Sequence, residues 1–127
     1  MAKTAAQVTE EEMLVYRATA RQREERMRQE QEQRAQHAWT LARQAAVLLK
    51  EGFGARRVRL FGSLARRDFF HHFSDVDLAV EGIKSQDFWR AWGDLDTLGC
   101  EFEIDLVDVE TASISLRQEI EREGVEL

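Results

Sequence analysis

Three carboxylates and one Gly-Ser pair carry the chemical content of this chain. Asp75 and Asp77 flank Val76 and lead into Leu78-Ala79-Val80, while Asp105 stands between Ile104 and Leu106. Successive side chains of a strand point to opposite faces, so Asp75 and Asp77 share one face and Val76, Leu78 and Val80 the other. Asp105 reads as a polar residue facing the same way from a neighbouring strand. Two ionised carboxylates this close repel each other unless a cation lies between them or one is protonated. Magnesium suits that need, since it takes oxygen ligands, keeps several waters, and is usually held by one or two carboxylates plus substrate phosphates. Three carboxylates from two strands are the minimum for two metals roughly 4 Å apart that clamp the attacking and leaving oxygens of a displacement. Asp75, Asp77 and Asp105 are therefore the expected metal ligands and catalytic residues.

The Gly-Ser pair supplies the phosphate side. Val58, Leu60 and Phe61 form a short apolar strand, and Gly62 lets the backbone approach a ligand with no side chain in the way. Ser63 is expected to cap a helix over about residues 63–68, whose free N–H groups and positive dipole end would hold phosphate oxygens. Arg66, one turn on, adds a charge-assisted contact. Gly62, Ser63 and Arg66 are thus the expected nucleotide-binding residues, and the chemistry is nucleotidyl transfer from a metal-bound triphosphate. Arg56, Arg57, Arg59 and Arg67 also cluster near the turn, either as a solvated strand edge or as a local positive field.

Secondary elements must bring these residues together. Residues 9–36 contain no Gly or Pro and are rich in Glu, Gln and Arg, which predicts a long exposed helix starting at Thr9 with an acidic first turn. From residue 37 the pattern changes. Ala38, Leu41, Ala42, Ala45, Leu48 and Leu49 recur at helical spacing as far as Gly52, and this segment is expected to pack on a sheet; one continuous helix or two remain open. Strands are predicted over about residues 56–61, 76–81 and 102–107, with helices over 85–98 and 111–123. Phe88, Trp92 and Leu95 form a core stripe on the first of these helices, with Trp89 off it and exposed. Glu103 shares the strand face of Asp105, and Asp108 reads as a turn or cap residue past the strand. The fold class is α/β (α+β), a short mixed sheet with packed helices, divided into a charged helical extension (1–36) and a catalytic domain (37–127).

Gly62-Ser63, Asp75-x-Asp77 and Asp105 resemble the motif set of the polymerase-beta-like nucleotidyltransferase superfamily, specifically its minimal nucleotidyltransferases, over about residues 38–123. The resemblance implies that Ser63 contacts the nucleotide phosphates, that Asp75 and Asp77 bind magnesium, and that Asp105 binds metal and helps to activate the attacking hydroxyl. It also implies an antitoxin paired with a small helical HEPN-domain ribonuclease toxin. AMP would pass from ATP to a tyrosine of that toxin, with two Mg2+ ions as cofactor, within a hetero-oligomer. The alternatives are an antitoxin that neutralises its partner by binding alone, or a nucleotidyltransferase for a small hydroxylated molecule. The chain departs from the family pattern in having Arg67 where members commonly have Gly, and in the bulky connection of residues 68–74, with Phe69, Phe70, His71, His72 and Phe73.

Composition narrows the partners. The chain has 127 residues, 43% of them apolar, which suits one domain with a single core. Residues 1–50 carry 9 Lys/Arg against 7 Asp/Glu, and residues 51–127 carry 9 against 17. Nucleic-acid affinity rests largely on neutralising phosphates, so the acidic second part disfavours direct binding of nucleic acid. A lone Cys100 excludes an internal disulfide and a cysteine-rich metal site. With neither a membrane span nor a signal sequence in view, a cytoplasmic location is expected.

Overall fold

The computed structural model describes residues 8–67, 75–99 and 101–127. The aromatic connection at 68–74, including His71 and His72, and Cys100 lie outside the described residues. The elements run α1 (Glu10–Phe53), β1 (Arg57–Phe61), β2 (Val76–Glu81), α2 (Ser85–Leu95), β3 (Ile104–Asp108), α3 (Ile114–Glu123) and β4 (Val125–Glu126). The four strands form one mixed sheet in the order β3-β2-β1-β4, which is the α/β architecture expected.

Helix α1 is a single helix of 44 residues. Thr9 starts it, its Oγ1 accepting from the Glu12 N–H at 3.1 Å, and Glu10, Glu11 and Glu12 complement the dipole in the first turn. Gly54 ends it in the left-handed region (φ 72°), and the Ala55 N–H returns to the Leu49 carbonyl at 3.0 Å. The residues through Gln33 form one compact unit and those from Arg34 a second. In the first unit the consecutive apolar residues Met13, Leu14, Val15 and Tyr16 are exposed.

In the second unit Ala38, Leu41, Ala42, Ala45 and Leu49 are buried with Val58, Leu60, Val76, Leu78, Val80, Ile104 and Leu106. These strand residues alternate in sequence and so line one face of the sheet. Helix α2 adds Ala91 and Leu95 to that core, with Phe88 and Trp92 packed at its margin. The Trp92 indole N–H donates to the Ile104 carbonyl at 2.8 Å. Trp89 stacks on Trp92 (centroids 5.5 Å apart) and is 73% exposed. Among the described residues no helix is long and apolar enough to cross a membrane.

The opposite sheet face carries the polar residues. Here α3, capped by Ser113, whose Oγ accepts from the Leu116 N–H, joins Phe61 and Ala79 through Ile120 in a second, smaller cluster. The helix starts at Ile114 rather than 111 because residues 109–112 form a turn, in which Asp108 Oδ1 accepts from the Glu110 N–H. Asp108 itself is the last residue of β3 and does not cap the helix. Strand β4 was not foreseen. It is two residues long and pairs with Arg59 and Leu60.

Arg59 fastens this face. Its side chain is 3% exposed, with Nη1 donating to Glu121 on α3 at 2.9 Å and Nη2 3.6 Å from Glu81. Its Nε and Nη2 lack hydrogen-bond partners, so the guanidinium is held more by charge and by packing of its stem than by directed bonds. Both carboxylates retain contact with water, so removing the cation leaves no deeply buried charge. Arg59→Ala is expected to cost about 2 kcal/mol, mostly through lost packing, whereas Arg59→Met should cost less than about 1 kcal/mol. Urea titration of both variants distinguishes packing from charge.

Candidate active site

Pairing register assembles the site. In the parallel pair β2–β3, Asp77 lies opposite Asp105, and residues so aligned project from the same face. In the antiparallel pair β1–β2, Phe61 lies opposite Asp77, which brings the next residue, Gly62, beside the Asp77 carboxylate. Gly62 has φ 80°, and a Cβ added there would overlap Asp77 Oδ2. Gly62 is thus required twice over, for its backbone conformation and for the space that Asp77 fills. Asp75 immediately precedes β2 and lies near enough to Asp105 for its charge to raise the Asp105 carboxyl.

The segment after Gly62 departs from expectation. Residues 63–67 form a turn, not a helix. The Arg66 N–H donates to the Gly62 carbonyl at 3.1 Å and the Arg67 N–H to the Leu64 carbonyl at 3.2 Å. Arg67 then adopts φ 58°, a left-handed conformation that stops helical propagation and that L-residues reach only at a cost. Ser63 therefore sits in a single turn, and helix-dipole stabilisation of an anion does not apply to it. Backbone N–H groups of the turn remain the donors on offer. A Gly at position 67 would adopt that φ freely.

Arg66 reaches across to α3. Its Nη1 lies 2.9 Å from Glu123 and 3.8 Å from Glu119. These two glutamates border the site and were not singled out from the sequence. The only signal available was their spacing of four, which puts two like charges on one helix face.

The carboxylates raise one another's proton affinity. Partial burial, followed by the charges of Asp105, Asp75 and Glu119, pushes Asp77 up to about 6, with Arg66 pulling the other way. Asp105 is also raised, first by burial, then by the charges of Asp75 and Glu103. Among the described residues no three His, Cys, Asp or Glu side chains close into a ready-made metal-ligating group. The donors nevertheless fit magnesium, which needs only one or two protein carboxylates, and mutually repelling carboxylates gain from a cation between them. A shallow depression along α3, lined by Ile114, Arg117, Gln118, Glu121 and Arg122, contains none of these residues.

Asp77 binds its proton more tightly folded than unfolded, so its contribution to stability is complete below about pH 4 and lost as pH rises through about 6. Because the carboxyl is only partly buried, solvent screening reduces the loss to the order of 1 kcal/mol. Without metal, urea titrations should show that decline in the wild type and a smaller one in Asp77→Asn. Added magnesium should recover stability above about pH 7 only where both carboxylates are present.

A family model described as "Polymerase beta, Nucleotidyltransferase" matches residues 44–127. The chain belongs to this nucleotidyltransferase family. Among solved structures it is similar to one provisionally described as a minimal nucleotidyltransferase, with 28% identity, TM-score 0.61, and coverage of 73% of this chain and 95% of that one. It is also similar to a chain of a toxin–antitoxin crystal structure with AMP-PNP, with 25% identity, TM-score 0.55, and coverage of 65% and 69%. A rebuilt structure of a tri-AMPylated Shewanella oneidensis HEPN toxin in complex with its MNT antitoxin shares the fold at 22% identity, TM-score 0.54, and coverage of 70% of each chain. No curated protein matches the sequence.

Proposed function

We propose that the chain is an antitoxin-type protein adenylyltransferase, which transfers AMP from ATP to a tyrosine of a cognate HEPN toxin and so neutralises it. The observation that carries this reading is the pairing of Asp77 with Asp105 beside the Gly62 turn, in a chain whose solved neighbours include toxin–antitoxin complexes. Residues 37–127 are the catalytic domain, and residues 1–36 a charged helical extension available to the partner.

Asp75, Asp77 and Asp105 would hold two magnesium ions, which when bound supply positive charge for the triphosphate oxygens. Gly62, Ser63 and the turn amides orient the β and γ phosphates, and Arg66 contributes a cation on the same side. The tyrosine hydroxyl attacks the α-phosphorus in line, its oxygen–phosphorus bond forming as the bond to pyrophosphate breaks, and an Asp105 carboxylate oxygen favours loss of the hydroxyl proton. Positioning and charge stabilisation account for most of the acceleration. The acidic second unit suits a protein acceptor better than nucleic acid. The setting is a hetero-oligomer with the toxin in the cytoplasm.

ATP labelled at the α-phosphate should label a cognate HEPN toxin, and ATP labelled at the γ-phosphate should not. Labelling by γ-labelled ATP would indicate phosphoryl transfer instead. Labelling of neither kind, with a stable complex, would favour neutralisation by binding alone.

A further inference from the structure

The position of Arg66 within the site adds a step that the proposed function does not contain. Its side chain is 40% exposed, and its guanidinium meets two carboxylates of α3, Glu123 at 2.9 Å and Glu119 at 3.8 Å. Glu119 and Glu123 are one helical turn apart, so their charges repel and the guanidinium between them relieves that repulsion. Meanwhile the Arg66 backbone N–H closes the turn onto Gly62, the residue packed against Asp77. The cation expected to meet a triphosphate is therefore already engaged by the last helix.

We propose that Glu123, assisted by Glu119, is a latch on Arg66 that a nucleoside triphosphate must displace, which makes these two α3 residues determinants of nucleotide affinity. Exchange is feasible because Glu123 has a second cation at hand. Arg122 Nη2 lies 3.9 Å from Glu123 Oε1 and can serve as counter-charge once Arg66 turns to phosphate. Phosphate is the stronger competitor, since it offers several anionic oxygens in a geometry that a guanidinium fork matches. Glu123 and Glu119 thus position Arg66 without touching the reacting atoms.

The latch rests on the nucleotidyltransferase reading, so binding is measured directly with magnesium and a non-hydrolysable ATP analogue by calorimetry on the full chain. Glu123→Gln keeps the shape of the side chain and should lower the dissociation constant about fivefold, the upper range for a partly exposed ion pair. Glu119→Gln, the longer contact, should lower it less and serves as the second variant should the first fold poorly. Glu121→Gln removes a charge from the same helix that bonds Arg59 rather than Arg66. It should leave affinity nearly unchanged. In an Arg66→Ala background the effect of Glu123→Gln should vanish, which a double-mutant cycle reads as coupling. Equal tightening by Glu121→Gln, tightening that persists without Arg66, or no tightening by either glutamine variant of Glu119 and Glu123 would overturn the latch while leaving the nucleotidyltransferase reading intact. Failure of the wild type to bind the analogue would overturn that reading and the latch with it.

Discussion

AMP transfer by Asp77→Asn is expected to fall at least about a hundredfold, while the metal-free protein becomes more stable above about pH 7. Both effects have one cause. Asp77 sits on the sheet beside Asp105, partly buried, and its carboxyl is raised to about 6, so at neutral pH the ionised form is held against its own electrostatics. That tension is useful only if a cation arrives to share the charge. The amide is nearly isosteric and neutral, so it removes the repulsion from Asp105 and Asp75 and with it the means of gripping a cation. Urea titration with chelator present and a transfer assay at saturating ATP measure the two halves. A variant that loses stability, or keeps near-normal transfer, would show that Asp77 is a structural residue rather than a strained functional one.

Gly62→Ala should be almost as damaging to transfer and, unlike Asp77→Asn, should destabilise. The new methyl would overlap Asp77 Oδ2, and the backbone at φ 80° lies in a region that costs an L-residue about 1–2 kcal/mol. Two adjustments are open: Asp77 swings away from Asp105, or the turn retreats from β2. Either separates the phosphate-binding amides from the carboxylates. A loss of about 2 kcal/mol in stability, together with transfer reduced by at least about tenfold, is the expected outcome. Gly54→Ala provides the comparison, since that residue also has positive φ but open space around it, and it should show the backbone cost without the loss of transfer.

Much of this arrangement was legible in the sequence because the burial pattern is strong. Val58, Leu60, Val76, Leu78, Ile104 and Leu106 alternate cleanly, and with that alternation came the common facing of Asp77 and Asp105. The start of α1 followed from Thr9 and three glutamates, and the inward stripe of α2 from Phe88, Trp92 and Leu95. The turn after Gly62 has a helical signal in the sequence because Ser63-Leu64-Ala65-Arg66 carries no breaker, and only the left-handed Arg67 reveals where propagation stops. Strand β4 has two residues, too few for any periodicity. The α3 partners of Arg66 were not legible either. They lie more than fifty residues away in sequence, and a long cationic side chain has many acidic partners open to it until tertiary structure selects one.

Magnesium-dependent transfer of α-labelled AMP from ATP to a cognate HEPN toxin, compared between the wild type and a double variant carrying Asp75→Ala and Asp77→Ala, is the most direct measurement of the activity. Label on the partner is expected with the wild type, with loss of label on chelation of magnesium and no label with the double variant even when it still binds the partner. Label of equal intensity from the double variant would contradict the assignment of these carboxylates.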